Sequence, residues 1–492
     1  MKRIYITGLN LIFATFTWAQ TFQVTVNGGF GSGSFQAGEI VHVFANQMQN
    51  TQVFDQWVGE VEFEYANEWH GRFIMPAQDV VVSASYRNIP VFSIDIDTIL
   101  FQGEPKQVFY YFPQVVRGTI FLFHEFAGRA QDWLFRAEYN RFLIDAVADS
   151  FAVVFFSAGD LASKSGEINE TLGSIEEYAW NVESLTLDEN VDLQLLQAII
   201  NNLKGLEIME ANPKLYAVGM GQGAIFAQLA ANVLDFRAIS VYGAAGLPLF
   251  NNAPGVPTQW MLCENDESEI TGMAGNEDAE AAFENFQTQD ICSRIYMHTP
   301  SPLYPGRILK DPSFEPIQVN NIFQELINAS ILLNNRALVN GNRFLEIYNE
   351  NPEEYLTING LVDFQRAFIA EQIDIAYAAH QFYSDLNRQT LEFFKSYCGI
   401  DTVFETVGIE IQKQFIADII LYPNPTESRL NFRTIDNLII DELRIFDLQG
   451  RLIKHEQRPN IDSIDVSELY LGTYVIQIIT SKGILFKRFI KG

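Results

Sequence analysis

Two groups in the sequence would make part of a hydrolytic site if the fold brought them together, and a third is missing. His380, in Ala378-Ala379-His380-Gln381-Phe382, offers an imidazole, and Asp266, closing Trp260-Met261-Leu262-Cys263-Glu264-Asn265-Asp266, offers a carboxylate. An imidazole can take the proton of a weakly nucleophilic hydroxyl, and a carboxylate fixes the imidazole's tautomer and stabilises its charged form. The hydroxyl belongs on a sharp strand-to-helix turn of the form G-x-S-x-G, whose glycines let strand and helix approach while the strained central residue projects its oxygen. Gly219-Met220-Gly221-Gln222-Gly223 has that spacing, between the apolar run Leu215 to Val218 and the helix-like Ala224 to Ala230. Its centre is Gly221, a degenerate nucleophile position with no oxygen, and no Ser, Cys or Asp in the turn can stand in. Loss of the attacking serine from a serine hydrolase lowers turnover roughly a millionfold, about 8 kcal/mol of barrier.

The elements that must position these groups alternate between strand-like and helix-like runs from about 91 to 400, the pattern of a sheet covered by helices on both faces. Val108 to Phe112, Thr119 to Phe123, Ala152 to Phe156, Leu215 to Val218, Ala238 to Tyr242 and Trp260 to Cys263 are the strand candidates. A helix from Asp192, with Leu195, Leu196, Ile199, Ile200 and Leu203 as its apolar stripe and Gly205 as its stop, leads into the turn strand. Asp266 and His380 are 114 positions apart, more than a crossover needs. A cap inserted at about 271–365 would fill the gap, with a helix over Asn320 to Leu338.

His124-Glu125-Phe126-Ala127-Gly128 follows a strand as an H-G-x-x-G loop does. With that loop, the elbow, the acid and the histidine in this order, residues 89–400 resemble an α/β-hydrolase of the secreted esterase kind. The resemblance implies an α/β-hydrolase fold with a helical cap, Asp266 as the acid, His380 as the histidine, and the backbone N–H groups of Phe126 and Gln222 as oxyanion donors. His124 would hold its loop. Glu125 departs from the pattern by replacing a glycine, which brings a negative charge near a hole meant for negative charge.

Both flanks read as β structure. Residues 20–88 alternate strand-like runs (Phe22 to Val26, Ile40 to Phe44, Val80 to Tyr86) with glycine-rich turns, and Trp57 and Trp69 are expected in the core. The phrases VTVNGGFGSGSFQAGEIVHVFA, FDQWVG and FIMPAQDVVVSASY resemble the divergent internalin-type bacterial repeat, which implies a spacer or adhesion module. After a linker at 401–415, residues 416–492 read as a small β-sandwich. LYPNP, RIFDLQGRLIK, IDVSELYLGTYVIQI and KGILFKRFIK resemble the C-terminal sorting domain of the type IX secretion system, which implies export across the outer membrane and the secretion machinery as a partner.

Composition agrees with an exported protein. Lys2-Arg3, an apolar run from Ile4 to Trp18 and Ala19 read as a signal peptide over 1–19. The net charge of −29 disfavours nucleic acid and anionic membranes. Cys263, Cys292 and Cys398 allow at most one disulfide, lack metal-ligand spacing and read as ordinary buried thiols. His298 reads as a loop histidine, and His42, His70 and His455 carry no assigned chemistry. No cofactor or metal is expected. Two functions follow: a secreted or surface-exposed pseudoesterase that binds a small ester, lipid or glycan, or a working esterase-like hydrolase in which His380, oriented by Asp266, acts as general base.

Overall fold

The computed structural model describes residues 20–46, 52–161, 178–251, 255–268, 272–334, 336–339, 344–396, 419–434, 439–446, 452–457, 462–480 and 483–492. The signal-peptide segment and the linker at 401–415 lie outside the described residues.

The central domain is an eight-stranded sheet. In spatial order its strands are Asp95–Phe101, Glu104–Tyr111, Ala152–Phe155, Thr119–Phe123, Leu215–Met220, Ala238–Tyr242, Thr258–Cys263 and Ser293–His298. Glu104–Tyr111 runs antiparallel to both its neighbours, while the six strands from Ala152–Phe155 onward are parallel. This is the α/β-hydrolase arrangement. The central strands are wholly buried because helices cover both faces, so they read as continuous apolar runs and not as alternating ones. Helix Val191–Gly205 begins where the Asn190 side chain accepts the N–H groups of Asp192 and Leu193.

The sequence reading missed two strands, one at each edge. Asp95–Phe101 is mostly exposed and alternates too irregularly to stand out. Ser293–His298 ends in His298, which is buried in a strand and not in a loop: Nε2 lies 2.8 Å from the Ile375 carbonyl and the ring stacks on Tyr383. Helix Gly272–Thr288 and this strand still belong to the sheet layer, so the insertion expected from about 271 starts only after His298. Its helices include Pro316–Asn328 and Asp363–Tyr377, packed around their own apolar cluster of Leu303, Ile322, Phe323, Leu326, Ile369 and Ile373. The helix expected to reach Leu338 ends at Asn328, two residues before Ser330 takes a φ of 57°. Ile331 and Leu332 then return into the same cluster, which is why their spacing mimicked a longer helix.

The N-terminal module forms two small sheets around Val41, Val43, Phe44, Trp57, Trp69 and Val82. It touches the central domain where Trp69 and His70 bond Ser384 and Asp385. The C-terminal region, also two sheets, encloses Leu443, Ile445, Ile476, Ile478 and Phe489. Cys263 is a free, buried thiol as expected, but Cys292 is disulfide-bonded, which corrects its reading as a thiol and fits an oxidising compartment.

Candidate functional site

The elbow is built as its glycines dictate. A Cβ on Gly219 would lie 2.2 Å from the Gly223 carbonyl oxygen, and one on Gly223 would lie 2.2 Å from that of His124, so neither position accepts a side chain. Gly221 sits between strand Leu215–Met220 and helix Gln222–Val233 at φ 53° and ψ −118°, a conformation that strains any other residue. The turn between strand and helix is thus as sharp as the glycine spacing predicts.

A neighbouring side chain fills the space above Gly221. A Cβ built on Gly221 would meet Glu125 Cγ and Oε1, each at 3.2 Å. The same carboxylate oxygen lies 3.0 Å from His380 Nε2. On the other side of the ring, His380 Nδ1 lies 2.7 Å from Oδ2 of the fully buried Asp266. The structure therefore brings Gly221, Asp266 and His380 together and adds Glu125, whose carboxylate lies between Gly221 and His380 Nε2. Sequence reading took Glu125 as a disturbance of the oxyanion hole and missed this contact. The paired departures, a glycine gained at 221 and a glycine lost at 125, were the available signal.

Burial would lower the basicity of His380, but the hydrogen bonds to Asp266 and Glu125 outweigh it and push its pKa up to about 9. At neutral pH the ring is an imidazolium that donates Nδ1–H to Asp266 and Nε2–H to Glu125. It has no lone pair with which to take a proton from a bound water.

The loop before the elbow is held by His124. Burial holds this imidazole down at about 4, so it is neutral. Its Nε2 accepts the Ala158 N–H at 3.1 Å, and its Nδ1–H therefore donates to the Glu125 carbonyl at 2.7 Å. The amides of Ala127 and Gly128 are taken by the carbonyls of Tyr178 and Glu125. Phe126 has no such bond among the described residues, and Gln222, the first residue of its helix, has an amide with no intrahelical partner. The Gln222 side chain accepts the Trp180 N–H at 2.9 Å.

The insertion reaches the site through Arg136, which bonds Glu371 at 2.9 Å and Gln381, next to His380, at 3.1 Å. Asp374 on the same helix is pushed up to about 6 by burial. The site stays partly open, with the side chains of His380 and Glu125 18% and 27% exposed. No group of three or more potential metal ligands gathers among the described residues, and no helix among them is long and apolar enough to cross a membrane.

Residues 420–492 match the family model of the secretion system C-terminal sorting domain. No curated protein matches the chain in sequence. Solved structures similar to it include a ferulic acid esterase, at 10% identity and a TM-score of 0.32, covering 42% of this chain and 89% of that one. A thermostable esterase is similar at 11% identity and a TM-score of 0.30, over 56% and 90% of the two chains. An α/β serine hydrolase without a lid from Xanthomonas campestris is similar at 12% identity and a TM-score of 0.29, over 43% and 86%. The chain is an α/β-hydrolase-fold protein that ends in a type IX secretion sorting domain, the mark of export to the cell surface or beyond.

Proposed function

We propose that this exported protein is a pseudoesterase: the hydrolase-fold domain has given up serine hydrolysis and serves to bind a small ester, lipid or glycan. The observation that carries this reading is the Glu125 carboxylate lodged against Gly221 and bonded to His380 Nε2. A lost serine alone would leave an imidazole facing an empty niche. Here the niche is filled by a negative charge that repels a developing oxyanion and keeps the imidazole protonated. Phe126, 46% exposed beside the elbow, offers an apolar contact for such a ligand. A fluorophosphonate probe is expected to leave the purified protein unlabelled, and a panel of short and long esters to remain intact; stoichiometric labelling of any serine in the pocket around His380 overturns the reading.

A second reading rests on the same carboxylate. Glu125 stands where an attacking group would, so a working hydrolase could use it to activate a water once it releases His380, with His380 and Asp266 holding the charge. Glu125→Gln and His380→Ala would then each abolish an ester turnover that the natural protein displays. If the protein is a pseudoesterase, all three are equally silent.

A further inference from the structure

Three consecutive residues of the N-terminal module grip the segment that follows His380. Glu68, 1% exposed, accepts the N–H of Gln389 at 2.9 Å and of Arg388 at 3.3 Å, capping helix Asn387–Ser396 from more than three hundred residues away in the chain. Trp69 Nε1 donates to the Ser384 carbonyl at 3.2 Å. His70 Nδ1 lies 2.7 Å from Asp385 Oδ2, and the Arg388 guanidinium reaches back to the Phe54 carbonyl at 3.3 Å.

The insertion closes the grip from the other side. Arg307, fully buried, pairs with Asp385 and lies 5.1 and 5.3 Å from the ring centres of Phe44 and Trp69. Lys310 lies 3.8 Å from the Trp69 ring centre and pairs with Glu138, whose other oxygen takes both the N–H and the hydroxyl of Ser384. Every residue from Ser384 to Gln389 except Leu386 therefore has a hydrogen bond or ion pair to a distant part of the chain.

The other end of the His380 segment is held by Asn265, whose side chain donates to the Tyr377 carbonyl at 2.7 Å. Ala378 leaves helix Asp363–Tyr377 in the left-handed conformation, and its carbonyl accepts the Asn265 N–H at 2.9 Å. Between the two ends, Gln381 takes the Arg136 guanidinium and Phe382 is fully buried against Tyr139 and Tyr242, so the N-terminal module adds a further anchor that lowers the conformational freedom of the loop. The anchor supplied by the N-terminal module begins four residues after His380, at Ser384.

We propose that the N-terminal β module is a built-in part of the site, with Glu68, Trp69 and His70 as positioning residues that hold the His380 loop in register with Asp266 and Glu125. This goes beyond the pseudoesterase reading and holds whether the site binds or turns over its ligand. A module that only displayed the protein at the cell surface would have no need for an uncommon buried acid capping a helix of another domain.

The test follows the His380 imidazole by NMR titration in the full chain. Glu68→Ala is expected to lower its midpoint, about 9 in the natural protein, by about half a unit or more as the pairing with Asp266 loosens. Glu68→Gln, which keeps an acceptor for the helix amides, should return most of the shift, and Trp69→Phe, which removes one hydrogen bond and keeps the ring, should give a smaller fall. Val82→Ala, in strand Val80–Asn88, trims the module's core without altering Glu68, Trp69 or His70 and is expected to leave the midpoint in place. If Glu68→Ala fails to fold, Trp69→Phe decides alone. A midpoint unchanged in every folded variant, or one that moves as far in Val82→Ala, overturns the proposal.

Discussion

His380 and His70 each hold a carboxylate oxygen 2.7 Å from Nδ1, and they end in opposite charge states. His380 has a second carboxylate, Glu125, on its other nitrogen and is pushed up to about 9. His70 is more deeply buried, which by itself favours the neutral ring, and its carboxylate already belongs to a stronger cation, Arg307. Burial would raise Asp385, but Arg307 and then His70 hold it well below the usual carboxylate range, while His70 is held down at about 4. The neutral ring donates Nδ1–H to Asp385, leaving Nε2 to accept from His42 Nδ1 at 2.9 Å. A histidine–carboxylate contact is therefore no sign of an ionised histidine. What decides is how many carboxylates face the ring and whether an arginine has claimed them first.

The contrast can be broken at either end. The largest effect is expected from Arg307→Met, which leaves Asp385 buried without its cation: about 3–5 kcal/mol lost in denaturant unfolding, with His70 now titrating upward. If stability is unchanged, the junction is not the ionic anchor described above.

At the elbow, Gly221→Ser places a Cβ 3.2 Å from Glu125 and forces serine to a φ of 53°. A loss of about 1–3 kcal/mol is expected, with no gain in ester hydrolysis. The double variant Gly221→Ser with Glu125→Gly empties the niche and frees His380 Nε2, so weak ester hydrolysis and fluorophosphonate labelling should appear together. Hydrolysis by the single variant would show that Glu125 is no barrier.

The last effects lie in pH dependence, and they run in opposite directions. His380, raised from 6.5 to about 9, contributes stability that is fully present below about pH 6.5 and is lost as pH rises through 9. His70, lowered from 6.5 to about 4, costs stability as pH falls from 6.5 through 4, because the unfolded chain takes up a proton that the folded one refuses. Glu125→Gln should flatten the alkaline arm and His70→Asn the acidic one. An alkaline arm that survives Glu125→Gln unchanged would mean Asp266 alone raises His380.

Much of the architecture was legible because buried parallel strands write themselves as apolar runs: Thr119 to Phe123 and Ala238 to Tyr242 were readable to the residue. The edge strand Asp95–Phe101 was not, since one exposed face dilutes its pattern. The elbow could be read because close approach of two backbones demands glycine at 219 and 223 whatever the chemistry between them. Glu125 was visible as a departure but not as a partner, because its reach to His380 spans 255 positions and depends on a rotamer.

By itself, the sequence determined the order of domains, the elbow, the candidate triad and the missing hydroxyl, all local consequences of residue type and spacing. Only the tertiary structure decided that Glu125 fills the gap left by Gly221 and that the N-terminal module grips residues 384–389. Such contacts rest on a few hydrogen bonds between distant segments, whose geometry is set when the layers pack and leaves no periodic trace in the chain.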